Sequence, residues 1–485
     1  AIRDMMIGSA ESALGKTALV KGASDLYAKH FALVAEHIGD VAKAFAVVEQ
    51  VRGRVMTDLL LSGTLASTES RATEKEIARI RLKLSEAHSD QQVQELRDAI
   101  FLAEQARSVT PEISILKPKD HRTVTLADVQ KSLSPSEAVL EYVIDEPVSY
   151  CLVITRDHAR IVKLASKRTI SPLVTAYVSE AKAKRLGNDE ARRLYDALIA
   201  PIAEASRQQL IVVRDGQLHL VPFGGMVDDR NRYLVESRTF VYAPSATSFF
   251  LLRTAAQPKR TARALLAVGG VPYDGSGLKP SAVTRGYSAT KLFDLPSSRD
   301  EARAAAAALP HRSNTLLLGE NATEFAFKRA INHRIIHVAV HAIANEARPD
   351  RAALVMLSDP PKGEDGFLQT SEVVQLPLNA DLVVLSACDT AVGPLEGQEG
   401  ISTLSRAFLL AGARTVVSTL WSVDDDTTLF LMKRFYAELA RRKRPPDALM
   451  EAKRAMLNAF GPTKALPYYW AGFTVEGLAE PPIKH

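Results

Sequence analysis

Along the first hundred or so positions apolar residues recur at three- and four-residue steps. From about residue 120 onward they gather instead into short continuous runs separated by polar segments. Val41, Ala44, Phe45, Val48, Val51, Val55 and Leu59 form one helical stripe, with Asp40 placed before it as an N-cap. Ile77, Ile80, Leu84 and Ala87, then Val93, Leu96, Ile100 and Ala103, form a second pattern. It is broken at His88-Ser89-Asp90, as an antiparallel helical hairpin requires, and Pro111 closes the region. No intact repeat of about 34 residues is present, so the spacing alone establishes no solenoid.

Beyond residue 120 the runs AVLEYVI, SYCLVIT and HARIVKL predict an antiparallel meander. A helical stretch over 171–206 and the strand LIVVRDG follow. A segment rich in small and basic residues, 254–263, then separates this half from a second. That second half predicts strands at 264–268, 315–318 (TLLL), 335–340, 382–386 and 415–420. Helices are expected at 298–309, 323–332, 401–411 and 425–441. Strands alternating with helices make a doubly wound α/β sheet. Three units are expected: a helical region over 1–115, a first sheet half over 116–255, and a second half over 256–485.

Two strand ends carry candidate chemistry. Leu382-Val383-Val384-Leu385 reads as a strand buried on both faces, and it runs out into a loop holding Cys388. In open α/β sheets reacting groups sit beyond the carboxyl ends of such strands. Val338-Ala339-Val340 delivers His341 in the same way, 47 residues earlier, enough for one crossover between neighbouring parallel strands. Either residue alone reads as packing. Together they supply a thiol nucleophile and an imidazole that takes and returns its proton.

The residues around this pair resemble the CHAT family, caspase-like domains commonly attached to tetratricopeptide helices. HVAVHA is similar to that family's histidine strand. LSACDTAVGPLEGQEGISTLSRAFLLAGARTVVSTLWSVDDDTT is similar to its cysteine strand, glycine-rich loop, helix, next strand and acidic turn. PYYWAGFTVEG resembles its closing strand, and VVRDGQLHLVPFGGM and YAPSATS resemble its first half. The stretch AFAVVEQVRGRVMTDLL resembles the last helix of a tetratricopeptide array. The resemblance implies a caspase-like doubly wound sheet in two halves behind an all-α region. It also implies a cysteine endopeptidase with a His341/Cys388 dyad and an oxyanion site made by the backbone N–H groups of Ala342 and Cys388. Family members carry glycine after the histidine; Ala342 departs from that, although it keeps the backbone N–H. An extended protein or peptide substrate is expected, with a regulatory partner bound through the N-terminal helices. The alternative is a catalytically silent scaffold or interaction module of the same fold.

Asp424, Asp425 and Asp426 read either as a helix start, favoured by the positive end of its dipole, or as carboxylates lining a pocket for Arg or Lys before the scissile bond. Ser386 stands where metacaspase-type enzymes carry an aspartate, so it lends the basic pocket no support. Residues 10–17 match the loose phosphate-loop pattern but lack the strand that must deliver it. His333, His337 and His341 are spaced by four; on a strand that is roughly 13 Å, too far to share one ion, so no metal is expected. Three glycines in 393–400 and the composition of 358–369 predict loops able to flank a cleft.

Composition narrows the classes further. The chain has 485 residues, is 46% hydrophobic and 24% charged, and carries a net charge of +5, all ordinary for a soluble globular protein. No basic run is interleaved with stacking aromatics, so no nucleic-acid contact is expected. RRKRPP at 441–446 reads as a solvated cap closing the helix before it. The apolar stretch 401–423 is interrupted by Arg406 and Arg414 and is no membrane span. Two cysteines and no recognisable leader point to a reducing, cytoplasmic setting, and Cys151 reads as core. No cofactor is expected.

Overall fold

The computed structural model describes residues 26–50, 52, 124–255, 263–273, 292–343, 352–359, 364–386, 404–461 and 465–479, with single positions between 76 and 99. Cys388, the glycine-rich loop 393–400, residues 10–17 and most of the expected helical hairpin lie outside the described residues.

Eleven strands form one continuous sheet. In chain order they are β1 (Glu137–Val143), β2 (Ser149–Ile154), β3 (Ala159–Leu164), β4 (Gln209–Val213), β5 (Thr239–Ala243), β6 (Leu265–Gly269), β7 (Thr315–Leu318), β8 (Ile335–Ala339), β12 (Leu382–Leu385), β13 (Thr415–Thr419) and β14 (Phe473–Gly477). Three further short strands, β9 (His341–Ile343), β10 (Ala353–Val355) and β11 (Phe367–Gln369), make a separate antiparallel sheet. The large sheet runs β3-β2-β1-β4-β5-β14-β13-β12-β8-β6-β7. β1, β2 and β3 are the predicted antiparallel meander. Elsewhere the pairs are parallel, except that β14 runs antiparallel to β13 while parallel to β5. β14 is therefore the strand that joins the two halves.

Parallel strands buried on both faces are mostly apolar, and β4, β6, β8, β12 and β13 are buried along their whole lengths. Alternate residues feed two cores. Val384 and Leu382 face the helices Pro296–Ala308, Asp425–Ala440 and Pro445–Phe460; Val383 and Leu385 face Glu324–Ala330 and Leu404–Leu410. Burying each such Val or Leu contributes roughly 1.5–3 kcal/mol, which fixes the strands' register.

Part of the helical region belongs to this body. The helix Val41–Glu49 begins with the predicted cap, Asp40 accepting from the Lys43 N–H. Its Ala44, Phe45 and Val48 pack into the same core as Val139, Ile211 and Phe249. Glu49 accepts the N–H groups of Ala246 and Thr247 (2.9 Å each), capping the helix Ala246–Thr254. Arg52 is fully buried between Glu141 (3.4 Å) and Asp215 (3.2 Å).

Three features depart from the sequence reading. β8 ends at Ala339, and His341 opens β9 instead of extending the same strand. The segment 358–369, read as a loop, ends in β11, which pairs with β10. The basic run 441–446 does more than cap a helix. Pro445 and Pro446 are buried in the first turn of a further helix, Pro445–Phe460, where a missing N–H and a fixed φ suit helix initiation. Arg444 pairs with Asp447 there, and Lys443 with Glu438 and Glu451. Among the described residues, no helix is long and apolar enough to cross a membrane.

Candidate functional site

β8 and β12 are immediate parallel neighbours, with Val338 opposite Leu385 and the Ser386 N–H donating to the Val338 carbonyl (2.9 Å). His341 lies three residues beyond Val338. The register thus brings the histidine to the same sheet end at which the cysteine-bearing segment departs.

His341 is half-exposed, and its surroundings fix its ring. Its Nε2 lies 2.7 Å from the Phe293 carbonyl oxygen. A carbonyl can only accept, so Nε2 carries the proton, and in the neutral ring Nδ1 is the lone-pair nitrogen. The imidazole packs edge-to-face on Tyr273, with ring centroids 4.6 Å apart. The Tyr273 hydroxyl accepts the His341 N–H (3.1 Å) and donates to the Val355 carbonyl (2.8 Å), tying the histidine to β10. Asp294 accepts the Tyr273 N–H (2.7 Å), and Leu292 is buried against Ile343, Ala353 and Val355. The orienting group is a backbone carbonyl 48 residues upstream. Backbone carries no residue-type signal, so no sequence pattern could have nominated it.

Ala342 sits in β9 opposite Leu354. Positive φ among the described non-glycine residues is confined to Lys184, Asn231 and Arg442, so alanine after the histidine suffers no left-handed strain.

The acidic turn does both local and cross-helix work. Asp424, exposed, caps the helix Asp425–Ala440 by accepting from the Thr427 N–H (3.1 Å). Asp425 accepts the Ser297 N–H (2.6 Å) and Asp426 the Ser297 hydroxyl (2.7 Å), binding the start of the helix Pro296–Ala308. Burial pushes the Asp425 carboxyl up, against the lowering effect of Ser297.

Beneath the ends of β8 and β12 lies a buried polar group that the sequence reading passed over. His337 Nδ1 and the Tyr436 hydroxyl share a hydrogen bond (2.9 Å), and His337 Nε2 lies 3.4 Å from Glu301 Oε1. Ser386 lies beside the same carboxyl. Burial pushes Glu301 up to about 8 and His337 down to about 3. The only signal for Glu301 in the sequence was an acid on a helix, which ordinarily marks a solvated face.

The three evenly spaced histidines do not converge. His333 bonds Ala330 and Thr315, His337 bonds Tyr436, and His341 bonds Phe293. A carboxylate cluster does exist at Glu324, Glu364 and Glu372. The Lys328 ammonium reaches all three, at 2.7, 2.6 and 3.0 Å, and so fills the place a cation would take.

A CHAT domain family matches residues 188–477, more than half of the chain. Tetratricopeptide repeat protein 28 of Mus musculus and that of Homo sapiens are each 27% identical over 335 residues, covering 59% of this chain. The matched segment is 13% of each relative's length. Among solved structures, the Arg-specific cysteine proteinase gingipain R gives a TM-score of 0.38 at 10% identity, covering 65% of this chain and 70% of its own. The Saccharomyces cerevisiae separase–securin complex gives 0.37 at 11%, covering 84% of this chain and 27% of the other. The extent of the family match, over the strands and turns that carry the site, establishes that this chain belongs to the CHAT family.

Proposed function

We propose that the chain is a caspase-like cysteine endopeptidase in which Cys388 is the nucleophile and His341 the general acid and base. The observation that carries this reading is the His341 geometry. Its ring is held at the C-terminal end of β8 with Nε2–H given to the Phe293 carbonyl, which leaves Nδ1 as the base at the sheet end where the Cys388 segment begins. Nδ1 takes the thiol proton, and the thiolate adds to the scissile carbonyl as the C–S bond forms. The Ala342 and Cys388 N–H groups receive the oxyanion. The C–N bond then breaks as the imidazolium returns its proton to the leaving amine, and water hydrolyses the thioester. The Phe293 carbonyl stabilises the imidazolium and needs no third side chain. The substrate is a protein segment lying extended along the cleft. Asp424 or Asp425 receives a basic side chain ahead of the cut, and the N-terminal helices bind a regulatory protein partner in a reducing, cytoplasmic setting.

The test is an electrophilic peptide probe and iodoacetamide on the full chain. Wild type should label near neutral pH at one cysteine, Cys388→Ala should not label, and His341→Ala should slow labelling by about 10²–10⁴. Labelling that survives in Cys388→Ala removes the assignment. A wild-type thiol that resists both reagents leaves the scaffold reading in its place. Asp425→Asn should weaken cleavage after Arg and Lys relative to other residues; an unchanged preference excludes that carboxylate from the pocket.

A further inference from the structure

Lys453 is 6% exposed on the helix Pro445–Phe460, which packs over β5 beside β14. Its Nζ donates to the carbonyls of Phe473 (2.6 Å) and Ala471 (3.4 Å), where β14 begins. An ammonium has three N–H donors, and among the described residues the third meets no acceptor. No carboxylate among those residues pairs with it, and burial pulls the Lys453 ammonium down to about 7. A buried cation without a counter-charge is costly and calls for a partner. A cavity opens beside it, lined by Met450, Phe240, Tyr242, Thr474 and Arg238 among others, with no acid in its wall. Its free space is that of about one or two water molecules. Arg238 is half-buried, with its guanidinium donating to the Ala205 carbonyl and to the Ser237 hydroxyl.

We propose that this cavity binds a small monocarboxylate, of formate or acetate size, which gives Lys453 its third acceptor and its counter-charge. The space is too small for phosphate or sulfate, and Met450 and Phe240 offer a methyl group the apolar contact that a halide cannot use. Arg238, in the same wall, draws the anion in by its charge. Binding holds Lys453 as an ammonium, so above pH 7 it takes up a proton. The other titratable groups of the cavity are Arg238 and Tyr242, and Tyr242 is pushed up to about 12 by burial. Asp228 and Tyr195 act on Arg238 from outside the wall. Lys453 is therefore the group in this wall that changes charge between pH 6 and 9. The site lies on β5 and β14, with β13 and β12 between it and β8, and is independent of the peptidase reading.

Calorimetric titration of the full chain with sodium acetate tests this, at constant ionic strength from pH 6 to 9 and in two buffers of different ionisation enthalpy. Acetate affinity should be level below pH 7 and fall by about 10-fold per pH unit from 7 to 9, with close to one proton taken up per acetate at pH 8. Acetamide, the uncharged isostere, should not bind, and chloride should bind at least about 10-fold more weakly than acetate. Lys453→Met removes the charge at nearly the same length and should abolish acetate binding. If that variant does not fold, Arg238→Gln supplies the second arm: acetate should bind it about 3-fold or more weakly, with the pH slope unchanged. Acetate binding that survives in Lys453→Met, that stays flat from pH 7 to 9, or that acetamide matches overturns the site. So does an absence of binding at pH 6 up to about 0.1 M acetate. Chloride binding as tightly as acetate overturns the carboxylate assignment.

Discussion

Two of the polar clusters buried against this sheet, one in each half, are built on opposite principles. In the first half Arg52 brings a full charge into the core, and two carboxylates, Glu141 and Asp215, come to meet it. Burial pushes both acids up, the neighbouring Glu49 pushes Glu141 up further, and the guanidinium opposes both shifts without cancelling them. In the second half Glu301 is equally buried, but its neighbours are an imidazole, two hydroxyls and another acid. The first cluster sets a cation among its carboxylates, which ties a helix to a sheet. The second lacks a counter-charge, which makes it responsive to a single proton. Structural joints and adjustable ones are thus told apart by whether a buried charge has its opposite.

The largest test of that contrast is removal of the cation. Arg52→Ala leaves Glu141 and Asp215 buried without it and should destabilise by about 3–5 kcal/mol in urea unfolding. A loss below about 1 kcal/mol would erase the distinction between the clusters. The second test uses pH. Glu301 has a folded pKa of about 8 against an ordinary 4.5, so the folded state holds one proton more than the unfolded state between those values. Stability from this group is complete below about pH 4.5 and is lost as pH rises through 8. Glu301→Gln should therefore gain on wild type at pH 8.5 relative to pH 5, read as the difference in melting temperature. An equal offset at both pH values would contradict the assignment. The smallest effect is expected at the edge of the first half, where Arg160 and His158 hold Glu204 down to about 2. Glu204→Gln should cost about 0.5–1 kcal/mol at pH 7. That penalty should shrink as pH falls from 4.5 toward 2, where the wild-type carboxylate itself becomes protonated.

The sequence exposed the strands well because a strand buried on both faces is mostly apolar. Leu382–Leu385 was legible on that ground, and its pairing with Ile335–Ala339 puts His341 at the sheet end where the segment after Leu385 departs. What it hid were contacts that side-chain identity does not encode. The Phe293 carbonyl on His341 is backbone meeting a ring across 48 residues. Glu301 carries no mark of burial in the sequence, because an acid on a helix ordinarily sits on a solvated face. The helix Pro445–Phe460 was concealed because basic residues followed by two prolines read as an ending, whereas those prolines open the next turn. The acidic turn caps its own helix, as a helix start would, while its clasp on the helix Pro296–Ala308 belonged to neither reading of the sequence.

The placement of β14 has a consequence for synthesis. It lies between β5 and β13, yet it follows every other strand of the sheet in the chain. While the polypeptide is leaving the ribosome, β5 and β13 each present an open flank of unsatisfied N–H and C=O groups. Both flanks close only when Phe473–Gly477 emerges and is inserted between them. Until then the nascent chain is two incomplete sheets, and that interval is when it is most exposed to chaperones and to mispairing with other copies.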